Sequence, residues 1–432
     1  MKTPIYSING MKDYIPTQTT LWQPIEEKLT KLINNYGYKE LRLPIIEHTA
    51  LFKKAIGRTT DIIRKELYCF PDKKGKSYTL RPEGTTGCVR AGIEHGLIHN
   101  QEQRFWYFGS MFRHDRPQKD RYRQFNQLGI ESFGHKEPDI DAELIILTKN
   151  LWATLGINSC LSLELNTIGS IEERETYNNS LTMFFSKNIK ALDKESISKL
   201  EKDPFRILDS KENNIKKLLK AAPTIFSYLS ETTKSLFNSL CLLLDTNGIR
   251  YKLNNYLVRG LDYYNNTVFE WVENNNIKAQ NTICGGGRYD NLVEKIGGFS
   301  TPAIGCALGL ERLVMLVNKQ DNKLNQNNKL NQELIIYSIP RYKEEKVKAI
   351  LIAESIRTNI PKLSSLTNYE ESSFKRNLIK PYKHKAKLVI IIEAGKYKEE
   401  IIIIRNLING NQYKIPKETI INEVKKAIYS LY

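Results

Sequence analysis

Four arginines and a lysine crowd one short stretch of this chain: Arg113, Arg116, Lys119, Arg121 and Arg123, within FRHDRPQKDRYRQF (112–125). Arginine presents a rigid fork of donors that matches phosphate and stays charged at any physiological pH. Such a concentration of cations suits a polyphosphate. Directly after it, Gln127, Gly129 and Glu131 alternate with Leu128, Ile130 and Ser132. Residues two apart in a strand share a face, so two polar side chains flank a glycine over largely apolar backing. That is a floor able to hold a small polar ligand, with Gly129 letting the ligand approach the backbone. The same patterns also suit a solvated sheet face and a solvated basic loop.

Other reactive residue types are weaker signals. His95 and His99 stand four apart, a spacing that sets both on one helix face, but no third metal ligand accompanies them. The six cysteines include no CxxC pair, which argues against a disulfide framework or a structural zinc and suits a reducing compartment. Cys284 and Cys306 lie beside glycine turns and read as small packing residues.

The elements that must position the floor follow from periodicity. Leu21, Ile25, Leu29, Leu32 and Ile33 mark one helix face, ended by Gly37. LRLPIIEH (41–48) reads as a strand with Pro44 inside it, at an edge or a bulge. Residues 105–113 and 123–133 are aromatic and β-branched runs around the charged segment, the pattern of an antiparallel hairpin with a long loop. Residues 171–250 look mostly helical and carry no chemical motif. Residues 318–332, NKQDNKLNQNNKLNQ, form a polar linker between a body and a tail. In the tail, KLVIIIEA and KEEIIIIRNL read as buried strands, with helices expected at 341–357 and 417–431, an α/β unit.

The 432 residues allow two or three domains, and 41% apolar with 26% charged residues is ordinary globular composition. No apolar run is long enough for a membrane span, and the first residues lack a signal-peptide pattern, so the expected location is cytoplasmic. The net charge of +17 favours a nucleic-acid partner, though a Lys- and Asn-rich codon bias would also raise it. Nearly half of that surplus lies in residues 333–432, which hold 19 Lys and Arg against 11 Asp and Glu.

Together these segments resemble the histidyl-tRNA synthetases, a family of class II aminoacyl-tRNA synthetases. FRHDRPQKDRYRQF is similar to class motif 2, PAIGCALGLERL (302–313) to motif 3, and GYKELRLPIIEHTALF (37–52) to motif 1. LVRGLDYYNNTVFEW (257–271) and CGGGRYDNL (284–292) resemble the two histidine-specific signatures, and TLRPEGT (79–85) also fits. The class I signatures HIGH and KMSKS are absent. The resemblance runs in the family's order over essentially the whole chain. Asp115 stands where the class usually has glutamate, and TNYEESSFKR (367–376) replaces a glycine-rich stretch usual in the family's tail.

The resemblance implies an α+β fold: an antiparallel class II sheet flanked by helices, a helical insertion, and a C-terminal α/β anticodon-binding domain. Its parts would be a catalytic core over 1–170 and 251–317, the insertion at 171–250, the linker at 318–332 and the anticodon-binding domain at 333–432. It implies ATP with Mg²⁺, L-histidine and tRNA(His) as ligands, and a homodimer with Pro44 at its interface. Glu83, Gly84 and Thr85, with Gln127, would hold the amino group of histidine. Glu131 and Tyr264 would read the imidazole, with Tyr263 walling the pocket. Arg113 and Arg259 would grip the α-phosphate, Arg113 also reaching the substrate carboxylate. Arg312 and Arg121 would meet the terminal phosphates, and Phe125 would stack on adenine. Two alternatives remain at this stage: a synthetase-like regulator of histidine biosynthesis, and a plain RNA-binding protein. The first typically lacks several of these residues, and the second leaves the polar floor without a purpose.

Overall fold

A single stripe of large side chains sets the first helix in place. α1 (Pro16–Asn35) buries Trp22, Ile25, Leu29 and Ile33, spaced along one face. Leu21, expected on that face, is 46% exposed, because Trp22 takes the inward position beside it. Gly37 follows with φ +80°, a left-handed conformation that glycine adopts at no steric cost. The computed structural model describes residues 4–57, 60–115, 122–210, 212–274, 282–324, 335–360, 363–368, 370, 372–394 and 400–431.

The chain continues through β1 (Lys39–Glu40), β2 (Ile46–His48) and α2 (Thr49–Ile56). The strand expected over 41–48 is thus confined to its last three residues. Pro44 has no N–H for a ladder, and the carbonyls of this segment serve Arg81 instead. Arg81 Nη1 donates to the Leu43 carbonyl at 2.9 Å, and its backbone N–H to that of Ile45 at 2.9 Å. β3 (Cys69–Pro71) and β4 (Ser77–Leu80) complete a small sheet of order β2-β4-β3, and α3 (Thr85–Glu94) follows. α3 stops at Glu94, so His95 and His99 do not share a helix face. The His99 ring packs on Phe299 instead, 4.3 Å between centroids.

The expected hairpin is present. β5 (Gln103–Phe112) and β6 (Gln124–Phe133) pair antiparallel, from Gln103 opposite Phe133 to Phe112 opposite Gln124. After α4 (Asp139–Thr154) and β7 (Leu161–Thr167), residues 171–250 carry α5 (Ile171–Lys187), α6 (Lys194–Leu200), α7 (Asn213–Leu219) and α8 (Glu231–Thr246). β8 (Tyr251–Leu253), β9 (Asn265–Glu273), β10 (Thr282–Arg288), α9 (Leu292–Ile296), β11 (Ala303–Gly309) and α10 (Leu310–Leu324) follow. α10 therefore runs into the segment expected to be linker, since lysine and glutamine cost a helix little. Residues 325–332 of that segment lie outside the described residues.

The main sheet has eight strands in the order β1-β5-β6-β11-β10-β9-β7-β8. Its six central strands are antiparallel, and only the edge pairs β1/β5 and β7/β8 are parallel. Alternation sorts its side chains. Trp106, Leu128, Ile130 and Trp271 face a core built with α1, α4, α8 and α10. Phe105, Tyr107, Phe133 and Val268 face a second core with α2, α3, α5 and α9, which Tyr264 and Tyr289 join from the strand ends. The polar site lies on this second face. The fold is α+β, an antiparallel sheet flanked by helices.

The chain divides into two compact units, residues 1–323 and 324–432. The second unit holds β12 (Ile335–Pro340), α11 (Lys346–Asn359), β13 (Ser364–Thr367), α12 (Phe374–Asn377), α13 (Lys380–Lys383), β14 (Leu388–Ala394), β15 (Glu400–Asn406), β16 (Gln412–Pro416) and α14 (Ile420–Tyr429). Its sheet order is β13-β12-β14-β15-β16. Leu388, Ile390 and Ile392 face α11 and α14, while Val389 and Ile391 are buried on the other side. Burial on both faces explains the unbroken apolar runs. Among the described residues, no helix is long and apolar enough to cross a membrane.

Candidate active site

Arg81 fastens the segment that enters the site. Besides its bond to Leu43, its Nε donates to the Ser110 carbonyl of β5 at 2.9 Å, so residues 81–85 are held against the hairpin. Glu83 then closes the start of α3. One carboxylate oxygen accepts from the Thr85 N–H at 2.7 Å and the other from the Thr86 N–H at 3.0 Å. Helix starts leave such N–H groups unpaired and favour negative charge. Burial nevertheless pushes the Glu83 carboxyl above its ordinary value, against these N–H groups and the charge of Arg113.

Glu131 is fully buried on the same face. Its carboxylate accepts from Thr85 Oγ1 at 2.7 Å, Tyr107 Oη at 2.9 Å and Tyr289 Oη at 2.5 Å. Burial pushes its pKa up to about 8, although the three hydroxyls pull the other way. Once ionised, the carboxylate has about four acceptor positions, and the three hydroxyls leave one for a ligand N–H. The space over Gly129 is filled by protein. A Cβ there would lie 2.0 Å from Tyr107 Cζ, and one at Gly84 would lie 2.0 Å from Tyr107 Cε2. The two glycines therefore admit the Tyr107 ring, which carries its hydroxyl to Glu131. This corrects the expectation that Gly129 makes room for a ligand.

Beside this closed cluster lies an open cleft of about 520 Å³. Arg113, Phe125, Gln127, Arg259 and Arg312 all line it. Arg113 Nε donates to the Pro82 carbonyl at 2.9 Å, and its guanidinium lies 5.2 Å from the centre of the Phe125 ring. Arg259 pairs with Glu270 of β9 and lies 5.6 Å from the Tyr264 ring centre. Burial is the largest influence and opposes its charge, but Glu270 together with Tyr264 and Tyr263 holds the guanidinium above its ordinary pKa. Arg312, in the first turn of α10, donates from Nη1 to the Thr282 carbonyl at 3.0 Å.

Two buried polar atoms in this cleft have no hydrogen-bond partner: the Gln127 carbonyl oxygen and the Arg259 Nε. One is an acceptor and the other a donor. Buried polar groups are nearly always paired, so both are open to a ligand that brings a donor and an acceptor.

The structure thus gathers the expected residues into two adjoining groups. Arg113, Phe125, Gln127, Arg259 and Arg312 line the cleft. Glu83, Gly84, Thr85, Glu131, Tyr263 and Tyr264 lie beside it in the buried face, where the two tyrosine rings stand 4.7 Å apart. Arg121, with Arg116 and Lys119, lies outside the described residues. Sequence reasoning missed Tyr107, Tyr289, Glu270 and Glu311. Glu311 Oε1 accepts from the Asn126 N–H at 2.8 Å and from Tyr14 Oη at 3.0 Å, tying the N-terminal segment to the cleft wall. Tyr107 was within reach: antiparallel partners share a face, and Tyr107 stands opposite Gly129.

Arginines aimed across an antiparallel sheet, with a helix entering from a glycine-ended strand, define the catalytic fold of a class II aminoacyl-tRNA synthetase. The family model for histidyl-tRNA synthetase matches residues 10–313. The crystal structure of apo S. aureus histidyl-tRNA synthetase is similar at 31% identity and a TM-score of 0.79, covering 97% of this chain and 99% of that one. Two others share the fold. Histidyl-tRNA synthetase from Nostoc sp. PCC 7120 matches at 17% identity, TM-score 0.67, with 98% and 100% covered. A Bacillus halodurans protein described as an ATP phosphoribosyltransferase regulatory subunit/histidyl-tRNA synthetase matches at 20% identity, TM-score 0.63, with 90% and 99% covered. The chain belongs to the histidyl-tRNA synthetase family.

Proposed function

We propose that the chain is a histidine–tRNA ligase working in two steps. The histidine carboxylate attacks the α-phosphorus of ATP, pyrophosphate leaves, and histidyl-adenylate remains. The 3′-terminal ribose hydroxyl of tRNA(His) then attacks the adenylate carbonyl, and AMP leaves. The observation that carries this reading is the pair of orphaned atoms in one cleft. An amino acid meeting a phosphate supplies the donor that Gln127 Oε1 lacks and the acceptor that Arg259 Nε lacks.

The roles follow from charge and shape. Arg113 and Arg259 hold the α-phosphate, with Arg113 also on the substrate carboxylate, so that two anions can meet. Arg312, and Arg121 outside the described residues, hold the terminal phosphates. Phe125 stacks on adenine. Glu83, Gly84, Thr85 and Gln127 bind the amino group. Glu131 accepts from one imidazole nitrogen, Tyr264 serves the other, and Tyr263 walls the pocket. Such a reaction needs positioning and charge stabilisation, not a protein nucleophile. A pocket built for hydrogen bonds rejects analogues lacking them by roughly 10⁴–10⁵, so no editing site is required.

Mg²⁺ typically keeps several waters and binds through one or two carboxylates plus phosphates. Glu311 lines the cleft next to Arg312 and fits that need. Mg²⁺ bound with ATP would add positive charge to the leaving pyrophosphate. The second unit, with its surplus of positive charge, is the anticodon-binding part, and bases of a single-stranded loop are open to direct reading. The protein works in the cytoplasm as a homodimer with closed symmetry.

Histidine-dependent exchange of labelled pyrophosphate into ATP tests the first step. Exchange with histidine and with no other amino acid is expected. Arg259→Ala should abolish it while the fold persists, and near-normal turnover in that variant would refute the role of Arg259.

A further inference from the structure

Two of the cleft arginines are joined by a path that runs through no substrate contact. Glu270 Oε1 accepts from Arg259 Nη1. Its other oxygen accepts from Thr282 Oγ1 at 2.7 Å. The backbone carbonyl of Thr282 in turn accepts from Arg312 Nη1 at 3.0 Å. Arg259, Glu270, Thr282 and Arg312 therefore form one continuous chain along the cleft wall, and all four line the cleft.

Two backbone features are needed for this chain. Gly285 stands opposite Glu270 in the β9/β10 ladder, and a Cβ there would lie 2.4 Å from Arg259 Nη1. Only glycine leaves the guanidinium room to reach the carboxylate. The register of the same ladder shifts between Thr282 and Cys284: Cys284 pairs with Trp271, yet Thr282 pairs with Val272. Without the extra residue, Thr282 would fall on the face of Trp271 and Cys284, inside the apolar core. The bulge turns it to the face of Glu270, as bulges beside functional sites do.

We propose that Glu270 and Thr282 are positioning residues that set Arg259 and Arg312 at one fixed spacing across the triphosphate, from α- to γ-phosphate. This rests on the phosphate roles given to the two arginines above. Glu270 holds one end of the Arg259 guanidinium and leaves its Nε, the unpartnered donor, for the ligand. A small misplacement of a group bound to the transition state costs about a hundredfold in rate, so the link acts on turnover more than on folding.

The test compares Glu270→Gln, Thr282→Val and Thr282→Ser in the full-length protein by histidine-dependent pyrophosphate exchange, with kcat and the KM for ATP measured separately and thermal stability alongside. Thr282→Val keeps the shape and the Arg312 contact but loses the hydroxyl. It and Glu270→Gln should lower kcat/KM for ATP by about tenfold to a hundredfold, with thermal stability near wild type, and Thr282→Ser should restore most of the loss. Active wild type with Thr282→Val and Glu270→Gln within twofold of it would overturn the proposal while leaving the function intact. Equal losses in Thr282→Val and Thr282→Ser would also overturn it, because the hydroxyl would not be the cause. Absence of exchange in the wild type would remove the functional reading and this inference together.

Discussion

Replacing Glu131 with glutamine should change how stability depends on pH. The carboxyl titrates near 4.5 when unfolded and at about 8 when folded. Between those values the folded protein holds a proton that the unfolded chain has released. Wild-type stability from this group is therefore complete below about pH 4.5 and is lost as pH rises towards 8. At about 1.4 kcal/mol per unit, the loss amounts to roughly 5 kcal/mol for this fully buried group. Glutamine does not titrate, and its amide can still pair with Thr85, Tyr107 and Tyr289, whose hydroxyls either donate or accept. The stability difference, Glu131→Gln minus wild type, should grow by several kcal/mol between roughly pH 5 and pH 8.5. Urea denaturation followed by tryptophan fluorescence measures it, because Trp22, Trp106, Trp152 and Trp271 all lie in the first unit. Titrating groups that do not interact with Glu131 cancel in the difference; Glu83, whose charge raises the Glu131 pKa, does not. A gap that stays constant over this range would refute the argument that Glu131 is held protonated by burial.

Two further outcomes follow from the two faces of the sheet. Arg288→Met should destabilise the first unit by about 3–5 kcal/mol, because it strands Asp141, which pairs with Arg288 at 2.7 Å and is 1% exposed; a loss under about 1 kcal/mol in the same urea assay would contradict the pair's role. Gly129→Ala should cost about 1–3 kcal/mol by driving a methyl into the Tyr107 ring, and adding Tyr107→Ala should recover part of it; a fully stable Gly129→Ala would show that the ring does not need the space.

Features set by local spacing were readable from the chain. The β5/β6 hairpin follows from two aromatic and β-branched runs around a charged segment. The cleft arginines were legible through motif resemblance. What escaped were contacts decided by distant partners. The segment around Pro44 has the composition of a strand, but Arg81 takes its carbonyls. Gly129 has the form of a ligand floor, but a ring from the neighbouring strand fills it. Tyr289 reaches Glu131 from 158 positions away. The Glu270–Thr282 link depends on a one-residue register shift, and a shift by one residue exchanges the two faces of a strand.

The bond from Tyr14 to Glu311 spans 297 positions, which has a consequence for biosynthesis. At ribosomal speeds of about 5–20 residues per second, Tyr14 waits roughly 15–60 s for its partner to be made. Fragments released before then would lack the cleft wall that Glu311 and Arg312 supply, however well their early helices had formed. Premature termination anywhere upstream of residue 311 should therefore yield a product whose cleft is incomplete.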